Sequence, residues 1–261
     1  MNGLPGSLAD FGPAALSAVV VAGYLVLGEP LVGHVLHRRF EGRLRSDTGA
    51  RRSFYRRLLV LEWGLALLAL VVWLSAPGVD AAQVGLVWPR QWPGAVSGAA
   101  AVLVLLFVVA STRALRGGAL AQAGPPARRP GAGRHAEPPV HATLALLPRT
   151  RVERRLFTLV GVTAGVCEEW LYRGFFLAVA AALAGGLSAP ALVVVAAAGF
   201  GVAHAYQGIA GVVTTGVLGG VLAGLYVDTG SLLLPVLLHV IIDLRFLLVP
   251  AAALPAAPAP R

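Results

Sequence analysis

The feature that most constrains this chain is where its charges are missing. Only 13% of the 261 residues are charged against 57% hydrophobic, whereas a soluble domain carries about 25% charged residues. Most of the charges lie between residues 38 and 57 or between 113 and 155, and the stretches around those blocks are almost free of them. Apolar runs of about 18 residues or more with few charges are candidates for transmembrane helices. Reading the runs between breakers gives seven spans, near residues 13 to 36, 58 to 75, 94 to 112, 156 to 184, 190 to 206, 208 to 228 and 231 to 249. The expected fold class is all-α: a polytopic integral membrane helical bundle of about seven transmembrane helices.

The basic residues, all arginine, support a topology. One block runs from Arg38 to Arg57 between the first two spans, and the other from Arg113 to Arg155 between the third and fourth. The positive-inside rule puts both in the cytoplasm of a cell whose plasma (inner) membrane holds the protein, with the N-terminus outside and the C-terminus inside. A net charge of +9 concentrated beside apolar spans is explained by topology, so no nucleic-acid partner is expected. Met1 to Pro13 has no basic residue ahead of the first apolar run and no Ala-x-Ala site follows at the right distance, so the first span is expected to stay as an anchor. A lone Cys167 forms no intramolecular disulfide.

The chain divides into a three-span region over residues 1–112, a cytoplasmic linker over 113–147, a four-span region over 148–250 and a tail over 251–261. The heart of the linker, residues 117–141, is rich in Gly, Pro, Ala and Arg without periodicity, the composition of a disordered segment. The tail has a similar composition. In the sixth span Gly216, Gly220 and Gly224 recur every four residues, as Gly161 and Gly165 do in the fourth. Such ridges of small residues let neighbouring backbones approach closely.

Ionisable groups at membrane depth cost roughly 2.5 to 3.5 kcal/mol each on insertion scales, so each one points to function by default. The fourth span carries Cys167, Glu168, Glu169, Trp170, Leu171, Tyr172 and Arg173; the fifth carries Phe200 and His204; the seventh carries His239 and Asp243. On a helix Glu169 and Arg173 share a face at i, i+4, while Glu168 points elsewhere. Arg173 therefore neutralises one glutamate and leaves Glu168 as a free carboxylate suited to general-base work. His239 and Asp243 are also i, i+4, so that carboxylate is expected to fix the imidazole. Counting about 1.5 Å per residue from the span ends brings Glu168 and His239 to one level, with His204 nearer the cytoplasm and a cavity opening that way. Phe200 shares the His204 face as an apolar wall. Glu29 and Glu62, in the first two spans, are expected to serve local helix packing or the interface, with Glu29 lining the same cavity or pairing with an arginine as the alternative.

These strings, Glu168-Glu169-x-x-x-Arg173, Phe200-x-x-x-His204 and His239-x-x-x-Asp243 on successive apolar helices, resemble the CPBP family of intramembrane proteases. That family joins the type II CAAX prenyl endopeptidases with abortive-infection proteins. The likeness spans roughly residues 145 to 250 and is sharpened by Cys-Glu-Glu-x-x-Tyr-Arg-Gly at 167 to 174. It implies peptide-bond hydrolysis in the membrane, with Glu168 and His204 activating water. His239 and the residue four later would stabilise the oxyanion, while Glu169, Arg173, Tyr172 and Phe200 support the site. The prenyl endopeptidases have asparagine where this chain has Asp243. An ionised aspartate cannot donate to an oxyanion, so Asp243 is either protonated or orients His239 or a metal.

Two mechanisms remain open: glutamate-dependent hydrolysis with no cofactor, or a zinc hydrolase with ligands drawn from His204, His239, Glu168 and Asp243. The metal-free form is the expectation, acting on a membrane-associated peptide or protein. Two other classes fit the buried charges. A transporter would use them as an ion relay and should show inverted repeats, which the sequence lacks; an immunity scaffold would keep the motif for packing alone.

Overall fold

The computed structural model describes residues 3–44, 46–117 and 145–254. The core of the linker and the tail beyond Leu254 lie outside the described residues. All regular structure among the described residues is helical and forms seven rods. They are α1 (Leu8–Arg43), α2 (Ala50–Leu74), α3 (Ala95–Arg116), α4 (Arg151–Glu169, continued by Trp170–Phe176 and Leu177–Ala184), α5 (Ala189–Ala203), α6 (Gly208–Thr229) and α7 (Leu233–Leu244).

The rods follow the seven apolar runs, and α1, α2, α3 and α6 are long and apolar enough to cross a membrane. The other three fall short for identifiable reasons. At about 1.5 Å per residue α5 measures about 22 Å and α7 about 18 Å, below the ~30 Å of a bilayer core. The rod α4 is long enough, but it interrupts its apolar face with Glu168, Glu169 and Arg173. Leu16, Leu27, Val60, Val96 and Ile209 stand exposed on the outside of the bundle, as lipid-facing side chains do.

The described parts of the two arginine blocks come together at one end. Arg51 Nε donates to the Ala145 carbonyl at 2.9 Å, the Tyr55 hydroxyl donates to the Leu146 carbonyl, and Arg154 donates to the Leu247 carbonyl. Phe40, Ala50, Phe54 and Tyr55 pack there against Leu156 and Phe157. In the turn from α1 to α2, the Gly49 N–H and the Arg43 guanidinium hold the Asp47 carboxyl below its usual pKa. Residues 251–254 also settle at this end, since Ala253 and Leu254 bury against Leu147 and Val249. The order of the chain there extends beyond the Pro250 limit expected from composition, because Leu254 supplies an apolar contact. At the opposite end, the Ser97 hydroxyl and Gly94 N–H donate to Asp228, and Arg90 N–H donates to the Thr229 carbonyl at 3.0 Å.

The glycine ridges set the spacing between rods. A Cβ on Gly165 would lie 2.4 Å from Val240 Cγ2 and 3.1 Å from the Val240 nitrogen, so α4 and α7 touch nearly backbone to backbone. Gly216 and Gly220 face α5, while Gly224 faces Ser97 of α3. The closest approach of one rod to the backbone of another uses a glycine outside those ridges: a Cβ on Gly201 would stand 2.7 Å from the Val212 carbonyl oxygen and 3.1 Å from Gly216 Cα. Both neighbours are backbone, so relief requires α5 and α6 to separate. Gly201→Ala is expected to cost about 1–3 kcal/mol or more and to lower the melting temperature in detergent. Gly220→Ala, whose Cβ would meet Ala197 Cβ at an ordinary 3.5 Å, should be tolerated. Equal melting of the two variants would refute this packing.

Candidate active site

The site begins with a local departure from α-helical geometry. Trp170–Phe176 is π-helical, immediately after Glu168 and Glu169; π-turns inside α-helices often mark functional sites. A second π-helical turn, Tyr24–Gly28, lies in α1 just before Glu29, and here the sequence supplies the cause. Pro30 has no N–H to continue the ladder, and the Glu29 N–H reaches back to the Tyr24 carbonyl, so the Leu25 carbonyl loses its helical partners. Leu25 is fully buried, and a buried carbonyl needs a donor. The Tyr172 hydroxyl provides it, sharing its single proton between the Leu25 carbonyl at 3.1 Å and Glu29 Oε2 at 2.7 Å. Tyr172 thus couples the π-turn of α4 to that of α1.

The two adjacent glutamates have separate surroundings. Glu169 and Arg173 are both fully buried and paired at 2.9 Å. Arg173 also donates to the Gly219 carbonyl at 3.1 Å and lies over the Phe200 ring, 4.3 Å from its centroid. Glu168 faces a different space. Its Oε2 lies 3.9 Å from His204 Nε2 and 3.8 Å from His239 Nε2, without a hydrogen-bond partner in the protein. Those gaps exceed a direct hydrogen bond and are of the kind a shared water fills.

Each histidine is held by its other nitrogen. His204 is the residue at which α5 stops, and its Nδ1 is 2.9 Å from the Phe200 carbonyl. A carbonyl only accepts, so Nδ1 carries the proton and Nε2 presents a lone pair toward Glu168 in the neutral ring. The ending of α5 after 15 residues leaves the His204 ring beside Glu168. His239 Nδ1 is 2.7 Å from Glu169 Oε1. This corrects the expected role of Asp243 as the anchor of the imidazole: its Oδ2 stands 3.8 Å from His239 Nε2, beyond hydrogen bonding, and the tautomer is fixed across the bundle by Glu169. The i, i+4 spacing placed the two on one face but could not show a stronger acceptor arriving from another helix. Phe200 lies edge-on to His239, with ring centroids 5.9 Å apart, and 4.6 Å from His204, forming the expected apolar wall.

Glu168 and His204 open onto a cavity of about 380 Å³ that runs between α1, α2 and α4 toward the arginine-rich end, past His37, Phe54 and Leu146. Glu29 and Glu62 line the same cavity. For Glu29 this is the alternative the sequence offered; Glu62 was expected to serve packing or the interface alone, its only signal being its position as an isolated acid in an apolar run.

For zinc, bonds of ~2.0–2.1 Å arranged tetrahedrally would put neighbouring ligand atoms about 3.3 Å apart. The Glu168 to histidine distances are wider, and the described residues contain no group of three or more His, Cys, Asp or Glu side chains spaced to hold a metal ion. The donor set does not fit the ion as it stands.

No curated protein and no solved structure matches the chain. One family does: from Val152 near the start of α4 to Arg245 just past α7, the segment that carries Glu168, His204, His239 and Asp243, residues 152–245 match the family of Type II CAAX prenyl endopeptidase Rce1-like proteins, the group to which the sequence motifs pointed.

Proposed function

We propose that this protein is an intramembrane endopeptidase in which Glu168 activates water for attack on a peptide bond. The observation that carries the reading is the setting of Glu168: a cavity-facing carboxylate between two Nε2 atoms, while its neighbour Glu169 neutralises Arg173. The family match supports peptidase chemistry at the family level.

Water bridging Glu168 and His204 is polarised by both lone pairs, and Glu168 takes its proton as the oxygen attacks the carbonyl. His239 donates from Nε2 to the developing oxyanion when both ring nitrogens are protonated, its Nδ1 proton being held by Glu169. Asp243 Oδ2 lies 3.8 Å from that Nε2 and joins the donation in its protonated form. Collapse of the tetrahedral intermediate passes the proton from Glu168 to the leaving amine. The substrate is a membrane-associated peptide or protein. In the topology given by the arginine blocks, with the N-terminus outside and the C-terminus cytoplasmic, it enters from the cytoplasmic side.

Purified protein in detergent is expected to cleave peptides taken from proteins that co-purify with an inactive Glu168 variant, identified by mass spectrometry. No metal is required in this reading: elemental analysis should find well under one zinc per chain, and chelators should leave cleavage intact. Stoichiometric zinc that is lost in His204→Ala or His239→Ala, together with chelator-sensitive cleavage, would replace this mechanism with a metal hydrolase.

A further inference from the structure

The acidic lining of the cavity exceeds what hydrolysis uses. Glu168 is accompanied by Glu29 from α1 and Glu62 from α2, and no arginine is among the lining residues. Glu29 has the Tyr172 hydroxyl as its partner. Glu62 differs: its Oε2 is closed off from solvent and has no hydrogen-bond partner, although the residue lines the cavity and lies within electrostatic reach of Glu168 and Glu29. A buried carboxylate oxygen without a donor is costly, and adjacent carboxylates repel when ionised. A cation entering the cavity relieves the repulsion, and it gives the Glu62 carboxylate a donor once that side chain turns toward the cavity. The wall beside these groups is apolar, with Val32, Leu36, Leu61 and Leu65, which suits the methylene stem of a basic side chain while its head reaches the carboxylates.

We propose that Glu62, assisted by Glu29, forms a subsite that takes the guanidinium or ammonium group of a basic side chain in the substrate. The inference builds on the endopeptidase reading, since it assigns that cavity to a peptide. It gives the N-terminal rods, outside the matched residues 152–245, the selection of substrate, while α4, α5 and α7 supply the chemistry.

The test measures binding and cleavage separately on full-length protein in detergent. The probes are fluorescent apolar decapeptides carrying one central arginine, lysine or citrulline, the last keeping the shape of arginine without its charge; empty micelles give the background. Wild type should bind the arginine and lysine peptides at least about tenfold more tightly than the citrulline peptide, the worth of one or two charge-assisted hydrogen bonds. Glu62→Gln should bring the three to within about twofold, and Glu29→Gln should reduce the preference in part. If Glu62→Gln does not melt cooperatively, Glu62→Asp replaces it, and its shorter arm should weaken the preference. Equal affinities in wild type, no binding of any peptide, or an unchanged preference in the Glu62 variant overturns the subsite. A Glu62-dependent preference without cleavage of any peptide leaves the subsite standing and removes the endopeptidase reading; cleavage without charge preference does the reverse.

Discussion

Glu168→Gln is expected to lower turnover by at least ~10², the contribution of a general base, while the protein melts as wild type does. The two halves of this result have separate causes. Gln retains the size of Glu and one acceptor oxygen but cannot take a proton from water. Folding is spared because Glu168 Oε2 has no hydrogen-bond partner in the protein, and the 3.8–3.9 Å gaps to the histidines are not direct bonds that substitution would break. Removing a carboxylate from an acid-lined cavity also removes repulsion with Glu29 and Glu62. Turnover and thermal unfolding of the same preparation check the result. Turnover within about threefold of wild type would take the base role from Glu168, and His204, with its free Nε2 lone pair, would be the next residue to substitute.

The course of the seven rods was legible in the sequence because charge exclusion from apolar runs is a property of the chain alone. The separation of Glu168 from Glu169 was legible for a similar reason: adjacent residues on a helix point apart, and Arg173 at i, i+4 selects one of them. What failed to show were contacts made at long range. Tyr172 reaching the Leu25 carbonyl depends on a helix 147 residues away, and although Pro30 warns of a broken ladder, nothing in the string names the donor that repairs it. Glu29 and Glu62 looked like isolated acids until α1 and α2 were folded against α4. The anchor of the His239 ring was misjudged because only the helix that carries Asp243 could be inspected. Glu169, 70 residues away, is the stronger partner of His239, and a local spacing rule cannot see it.

That contact sharpens what should follow from removing Glu169. Its Oε1 accepts from Arg173 and from His239 at once, so Glu169→Gln should damage two things. Arg173, fully buried, would keep only neutral acceptors, the Gln amide oxygen and the Gly219 carbonyl, beside the Phe200 face, and breaking a buried ion pair by removing one charge costs up to about 3–5 kcal/mol in soluble proteins; expression and melting temperature should both fall. His239 would lose the charge that holds its Nδ1 proton, so the Nε2 donor is misplaced and turnover per folded molecule should also fall. The double variant Glu169→Gln, Arg173→Met separates these effects. It removes the stranded cation and fills its volume with a flexible apolar side chain, so melting temperature should recover in part, whereas turnover should not, since nothing has been restored to His239. Melting curves and turnover for the two variants and wild type provide the comparison. If the double variant regains activity along with stability, the His239 contact contributes only packing, and the oxyanion role proposed for His239 does not depend on Glu169. If Glu169→Gln melts as high as wild type, the buried pair with Arg173 is not what holds α4 against α5 and α6.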